Sequence, residues 1–253
     1  RCTIVEMFGA AYDAVIHEPL RNAIVFLIDV APGASLGLAI IALTIVVRLV
    51  LFPLSKRAIL SQIRMKEIEP EIAALKVRLK DNPQQLALET MKLYRERGVK
   101  PFASIGMLLI QLPILIGLYT VFRESFDSID PATLYSFVSV PAAVDSMFLG
   151  VDLRVAGGAG LVFAVVAGIL QHVASRLTLR YQAAPTGKPG ESFQADFARS
   201  MRFQMLYIFP ALPVLISIPF VAAIPLYWAV GNLFTVLQEL YLAKHRKAAV
   251  RAN

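Results

Sequence analysis

The chain of 253 residues is 57% hydrophobic and only 17% charged, whereas soluble proteins average roughly 45–50% and about 25%. The excess of apolar residues excludes a disordered chain, the single cysteine excludes a disulfide scaffold, and three scattered histidines exclude a zinc cluster. The net charge of +7 would suit a nucleic-acid partner, but the basic residues lie between apolar runs rather than on one face interleaved with aromatic residues. The composition therefore predicts a membrane protein that binds no DNA.

The N-terminal segment, residues 1–33, is predicted to lie on the extracytoplasmic side of the membrane. Within it, residues 12–30 are too few and too charged to span a bilayer. Apolar residues that can share one helical face recur there, namely Val15, Leu20, Ala23, Ile24 and Leu27. This pattern predicts an amphipathic helix lying on the outer leaflet.

Three separate apolar runs have about the 20 residues that a transmembrane helix needs, and they predict spans at 34–54, 104–123 and 156–177. A fourth run, from Phe203 to Gln238, contains 36 residues without a charged side chain. As a single helix it would be about 54 Å long, which is longer than a bilayer is thick.

The fourth run is therefore predicted to fold back on itself. Pro219 and Pro225 each disfavour helical structure at the residue before them. Two short spans, 203–218 and 226–242, joined by an outer turn at 219–225, satisfy the length, and the sequence thus predicts five spans.

The distribution of basic residues predicts the orientation of these spans. Lys and Arg number eleven in segment 55–103, five in 176–202 and four from Lys244 onward, but only three in 1–33 and 125–156 together. Cytoplasmic segments are enriched in Lys and Arg. The regions 55–103, 178–202 and 243–253 are therefore predicted to be cytoplasmic, with the N-terminus and the loop 124–155 outside.

Segment 55–103 is the longest polar stretch and is predicted to form an antiparallel helical hairpin. Ile68, Ile72, Leu75 and Leu79 make one helical stripe, and a break at residues 81–83 separates it from a second one. The charge of this segment has two interpretations, a solvated linker that only sets topology, or a docking surface for a polyanionic cytoplasmic partner or lipid headgroups. The docking candidates are Lys56, Arg57, Arg64, Lys66, Lys92, Arg95 and Arg97.

Arg48 is the principal candidate for a functional residue, since it lies within the first predicted span. A cation at mid-membrane costs about 2.5–3.5 kcal/mol on insertion scales, so it usually faces a cavity or a partner. The alternative is snorkelling to the cytoplasmic interface, about 9 Å away. Polar residues of the other spans would line a hydrated groove with it, or would serve only as hydrogen-bond contacts between helices. These residues are Thr44, Gln111, Gln171, Asn232 and Gln238.

Several motifs resemble the YidC/Oxa/Alb family of membrane protein insertases over nearly the whole chain. They are LGLAIIALTIVVRLVLFPLSKRA, EIEPEIAALK, DNPQQLALETMKLYRERGVKP, LLIQLPILIGLY, FLGVDL and LYWAVGNLFTVLQ. The resemblance is to short bacterial forms without a large outer domain. It implies an all-α protein of the plasma (inner) membrane, with a five-helix insertase core, the cytoplasmic hairpin and the outer interfacial helix.

The resemblance also implies a function and partners. Such a protein inserts and helps to fold client membrane proteins without nucleotide hydrolysis, and Arg48 would sit in a groove open to cytoplasm and lipid. The implied partners are client proteins, the Sec translocon, membrane lipids, and a ribosome or targeting receptor bound by the hairpin and the second cytoplasmic loop. No cofactor is expected, and no enzyme motif of a hydrolase is present. The alternatives are a small-molecule transporter or channel subunit, and a structural scaffold.

Overall fold

The computed structural model describes residues 4–80, 82–100, 103–124, 129–181 and 193–251. The described chain is mostly helical. The helices are α1 (Ile4–Tyr12), α2 (Glu18–Val30), α3 (Leu36–Glu67), α4 (Glu69–Arg78), α5 (Pro83–Glu96), α6 (Ala103–Arg123), α7 (Leu161–Thr178), α8 (Phe193–Phe203), α9 (Phe209–Ile216) and α10 (Ala223–Arg251). The prediction of an all-α protein omits one antiparallel β-hairpin, β1 (Met147–Phe148) and β2 (Val151–Asp152).

Turn and cap residues set several of the helix boundaries. Gly33, with φ of +67°, makes the turn between α2 and α3, a conformation that glycine adopts without a steric penalty. Asn82 caps α5 by accepting a hydrogen bond from the Gln85 N–H at 3.1 Å, and Pro83 follows it in the first turn. Pro70 likewise occupies the first turn of α4.

Helix α3 is longer than the predicted first span. It continues without interruption from Leu36 to Glu67, although charged residues begin at Lys56. The polarity of the sequence changes near Leu54, but the helix does not end there, because the residues that follow are themselves compatible with a helix. Lys56, Arg57, Arg64 and Lys66 therefore lie on the C-terminal half of α3.

Two helices of the described chain, Leu36–Glu67 and Leu161–Thr178, are long and apolar enough to cross a membrane, and Leu109–Arg123 is a shorter apolar helix. The chain divides into two compact units. The first contains the described residues of Arg1–Val50, Leu109–Gln171 and Phe209–Phe234, and the second those of Leu51–Leu108, His172–Ile208 and Thr235–Asn253.

The first unit has one continuous hydrophobic core. Its large, fully buried side chains include Ile24, Ile28, Leu36, Ile40, Leu118, Leu153, Ile224 and Tyr227. These residues come from α2, α3, α6, α10 and the loop before α7, so the N-terminal helix α2 is packed into the core rather than lying apart from it.

The second unit has smaller apolar clusters. Ile68, Leu93 and Val99 are buried together, with Ile72 and Leu75 packed against them. Helices α4 and α5 therefore pack through the apolar stripes described above. Ala174, Leu177 and Val236 form a separate cluster between α7 and α10.

Candidate functional site

Arg48 packs against a glycine of the last helix. A Cβ placed on Gly231 would lie 2.7 Å from Nη2 of Arg48 and 3.4 Å from its Cζ. The guanidinium therefore occupies the space that any larger residue at position 231 would fill. Arg48 is half-buried as a residue and Gly231 is buried, so the guanidinium packs between α3 and α10.

Thr44 lies one turn before Arg48 on the same face of α3. It is fully buried, and its hydroxyl donates to the carbonyl of Ile40 at 2.6 Å. That bond stays within the helix, so the hydroxyl of Thr44 is already satisfied locally.

Gln111 and Tyr227 connect α6 to the same stretch of α10. The amide Nε2 of Gln111 donates to the hydroxyl of Tyr227 at 2.9 Å, and Tyr227 is only 2% exposed. Tyr227 and Gly231 are four residues apart and therefore share one helical face. Arg48 and Gln111 thus both contact this face of α10.

Asn232 links α10 to α7. Its Nδ2 donates to the carbonyl of Ala167 at 2.9 Å, and the side chain is buried. Gln171 lies one turn further along α7 and is half-buried. Within the first unit, helices α3, α6 and α7 therefore contact α10 through Arg48 at Gly231, Gln111 at Tyr227 and the carbonyl of Ala167 at Asn232.

Gln238 belongs to the second unit. Its Nε2 donates to the hydroxyl of Ser55 at 2.6 Å, and that hydroxyl in turn donates to the carbonyl of Phe52 at 3.0 Å. This chain of hydrogen bonds ties α10 to α3 within the unit.

Sequence reasoning missed three residues here. Gly231 is a single small residue in an apolar run, and no composition signal distinguishes it. Tyr227 is an aromatic residue near the start of the last predicted span, where an interfacial residue and a buried one have the same sequence signal, and it is buried. Glu239, 2% exposed, accepts a hydrogen bond from the hydroxyl of Thr178 at 2.9 Å, and only its charge within an apolar context could have singled it out.

The predicted docking residues have different surroundings. Arg57, Lys66, Lys92, Arg95 and Arg97 are exposed, while Lys56 and Arg64 are half-buried. The Nζ of Lys66 donates to the carbonyl of Arg180 at 2.6 Å. Nη2 of Arg97 lies 2.8 Å from both carboxylate oxygens of Glu71, and this hydrogen bond and charge raise the pKa of Arg97 above its ordinary value.

Known proteins similar to this chain include a family of inner membrane proteins and two membrane protein insertases. Residues 27–249 match the family model described as 60Kd inner membrane protein. The chain is 34% identical over 241 residues to a membrane protein insertase YidC of Clostridium tetani, which covers 95% of this chain and 92% of that protein. It is 32% identical over 221 residues to the membrane protein insertase MisCB of Bacillus subtilis, covering 81% of this chain and 70% of the relative.

A solved structure is also similar. It is described as an active YidC insertase crystal structure with the first transmembrane domain resolved, and it superposes with a TM-score of 0.57 at 28% sequence identity. The match covers 89% of this chain and 45% of that chain, so this chain spans less than half of the solved protein.

Proposed function

We infer that this chain is a membrane protein insertase of the bacterial plasma membrane. It belongs to the 60Kd inner membrane protein family, and the relatives named above are membrane protein insertases. The family resemblance in the sequence motifs is thereby confirmed. The same comparisons favour an insertase over a transporter or channel subunit. Client membrane proteins and the lipids around them follow as the partners of such a protein.

The five-span arrangement is supported by apolar side chains that the packing leaves exposed. A protein in water rarely exposes such continuous apolar stripes, whereas lipid covers them without cost. Each helix proposed to span contributes one. They are Ile45, Val46, Leu49 and Val50 on α3, Leu109, Leu112 and Ile116 on α6, Val162, Val165, Val166, Ile169 and Val173 on α7, Phe209, Leu212 and Leu215 on α9, and Leu233, Leu237 and Leu240 on α10.

The fourth span is short. The apolar helical stretch from Phe203 to Ile216 contains 14 residues, about 21 Å of helix against roughly 30 Å of hydrocarbon. A bilayer adapts to a short span by thinning locally. A thinner bilayer would reduce the distance that a client segment has to cross.

The groove is centred on Arg48. A guanidinium packed over Gly231 requires water or polar groups around it, because an arginine in dry hydrocarbon is costly. In a poorly polarisable cleft its attraction for a carboxylate is several times stronger than in bulk water. Arg48 would therefore draw the acidic outer segment of a client partway across, before the client's apolar stretch enters lipid.

The neighbouring polar side chains hold the groove in shape. Gln111 and Asn232 are committed to Tyr227 and to the carbonyl of Ala167. They fix α6 and α7 to α10 close to Gly231, so the helix against which Arg48 packs is itself held in place. No nucleotide is needed for this step, because partitioning of the client into lipid supplies the free energy.

The cytoplasmic side would receive the client and its delivery machinery. Arg57, Lys92 and Arg95 are exposed basic residues, and they suit a ribosome, a targeting receptor or anionic lipid headgroups. The Sec translocon would be a partner within the membrane. The proposed topology places the N-terminus outside and the C-terminus in the cytoplasm.

The test is co-reconstitution into liposomes with a single-span client whose short outer tail is acidic, scored by protease protection. Wild-type protein and Arg48→Lys should protect the client, and Arg48→Glu should not. Arg78→Glu, a charge reversal on the exposed part of α4, serves as the matched control and should retain activity. Equal protection by Arg48→Glu and wild type would refute the role of Arg48, and no protection by folded wild-type protein would refute autonomous insertion.

A further inference from the structure

The β-hairpin of the outer loop has an unusual turn. Met147 pairs with Asp152 and Phe148 with Val151, which leaves Leu149 and Gly150 as a two-residue turn. Both have positive φ, +50° for Leu149 and +81° for Gly150. Two-residue turns of this type favour Asn-Gly or Asp-Gly, because their first position is strained for other side chains.

The described residues bury little of the Leu149 side chain. Its side chain is 81% exposed, and its neighbour Met147 is 51% exposed. A leucine in a left-handed turn that points into water has both an unfavourable backbone and unburied apolar surface. This combination indicates that a partner outside the described chain covers the side chain.

The position of the hairpin indicates which partner that is. The ring of Phe148 lies against Gly37, where a Cβ would collide with it, and its centroid is 6.2 Å from that of Phe163. Gly37 is the second residue of α3 and Phe163 the third of α7. The hairpin is therefore held at the level of the first turns of two proposed spans, at the outer surface of the bilayer.

The backbone supports the same placement. The N–H of Leu36 donates to the carbonyl of Asp145 at 2.9 Å, and the N–H of Asp145 donates to the carbonyl of Ala34 at 3.0 Å. These two bonds attach the base of the hairpin to the start of α3. The hairpin cannot be displaced from the end of the span without breaking them.

The hairpin tip carries no charge. No charged residue lies between Asp145 and Asp152, and each of these carboxylates accepts a backbone N–H, from Met147 at 2.9 Å and from Arg154 at 3.0 Å. Leu38 in the first turn of α3 and Leu161 at the start of α7 are exposed as well. Both helices carry the stripes assigned to lipid.

We propose that Met147 and Leu149 anchor the outer loop by inserting into the headgroup region of the outer leaflet. The anchor rests on the proposed span arrangement, since that arrangement places the ends of α3 and α7 at the outer surface. It would fix the loop to the bilayer beside the ends of two spans and hold their outer ends in register with the lipid.

Site-directed spin labelling of the full chain in lipid vesicles tests this proposal. A Cys2→Ser background removes the single native cysteine, and labels are attached at Leu149→Cys, at Val165→Cys on the α7 stripe and at Ala143→Cys, an exposed position of the same loop. Oxygen concentrates in lipid and a polar nickel complex in water. The ratio of oxygen to nickel accessibility at Leu149 should be several-fold higher than at Ala143, approaching that at Val165.

Three other results would overturn the anchor, and they are distinguishable. A nickel-accessible label at Leu149 beside a lipid-exposed label at Val165 would refute the anchor and leave the spans intact. Nickel access at both positions would refute the span arrangement and the anchor with it. Shielding of Leu149 from both reagents would show that protein, such as a second copy of the chain, covers the tip.

A second pair of variants separates anchoring from folding of the hairpin. Leu149→Asn suits the turn better than leucine does, so the hairpin stays folded while its apolar tip is lost. A label at Met147→Cys should then become more accessible to nickel, whereas Leu149→Met should leave it in lipid. Equal accessibility in both variants would count against the anchor.

Discussion

The guanidinium of Arg48 lies over the Cα of Gly231, with Nη2, Nε and Cζ within 2.7–3.4 Å of the position that a Cβ would take. Gly231→Ala should therefore displace the guanidinium, since the end of a flexible side chain moves more easily than a helix backbone. We expect insertion of clients with acidic outer tails to fall, while the protein stays folded. Protease protection in liposomes measures the first effect and thermal unfolding in detergent the second.

Gly106→Ala is the matched control for this substitution. Gly106 also lies in a helix, α6, but a Cβ there would meet nothing within 4 Å. Because alanine favours a helix more than glycine does, this variant should keep full activity. Equal loss of activity in the two variants would show that the glycine-to-alanine change acts through helix stiffness and not through Arg48.

The contact between Arg48 and Gly231 also illustrates what the sequence could and could not predict. A charged or amide side chain in an apolar run is conspicuous, so Arg48, Gln111 and Asn232 can be singled out from the sequence. Gly231 is not, because its role depends on which residue of a distant helix faces it. The burial of Tyr227 is not readable from the sequence for a related reason, since an aromatic residue at the end of a span gives the same signal whether it faces lipid or the core.

Helix boundaries show a second limit. The change from apolar to charged residues near Leu54 predicts the edge of the membrane, and α3 nonetheless continues to Glu67. Polarity and helix propensity are separate properties of a sequence, so a change in polarity does not show where a helix ends. The β-hairpin was missed because a strand of two residues is too short to show alternation.

Ser61 fixes the segment after α5 to α3 with one hydroxyl. Its Oγ accepts the N–H of Lys100 at 2.7 Å and donates to the carbonyl of Lys100 at 2.9 Å. Ser61→Ala removes both bonds from a buried position, and unsatisfied buried groups cost about 1–3 kcal/mol. Amide hydrogen exchange at Lys100 should therefore become faster, without a change in the unfolding of the rest of the chain.

Arg64→Ala provides the comparison for Ser61→Ala. Arg64 is one turn further along α3 and reaches the same segment, but its contact with the carbonyl of Gly98 is 3.5 Å long, too long for a strong hydrogen bond. Exchange at Lys100 should hardly change in this variant. If Arg64→Ala had the larger effect, the serine would not be the residue that holds this segment.

Glu239 is expected to reduce stability rather than provide it. Oε1 accepts from Thr178, but Oε2 has no hydrogen-bond partner among the described residues, and apolar replacement of such groups is often neutral or stabilising. Glu239→Met should raise the unfolding temperature, because the hydroxyl of Thr178 can donate to a carbonyl of its own helix instead. Thr178→Val should lower it, since about 1–3 kcal/mol is lost when a buried acceptor loses its donor.

The opposite signs of these two variants make the test decisive. A drop in unfolding temperature for Glu239→Met would mean that the carboxylate stabilises the fold. If Glu239→Met is more stable, as expected, but inserts clients more slowly than wild type, then the carboxylate is retained for function, as ionisable residues within membrane spans usually are.

Asp152 should make the β-hairpin sensitive to acid. Its carboxylate accepts the N–H of Arg154 and a hydrogen bond from Ser146, which lowers its pKa below the ordinary value for aspartate. A lowered pKa in the folded state stabilises the hairpin above the unfolded pKa of about 4, and that stabilisation is lost as the pH falls through the folded pKa. Amide exchange at Arg154, corrected for its intrinsic pH dependence, should therefore lose protection on acidification.

Two variants of Asp152 serve as controls. Asp152→Asn keeps an acceptor oxygen but cannot titrate, so the protection of the Arg154 amide should change less with pH. Asp152→Ala should lack this protection at every pH. An acid-induced loss of equal size in Asp152→Asn would assign the sensitivity to another group.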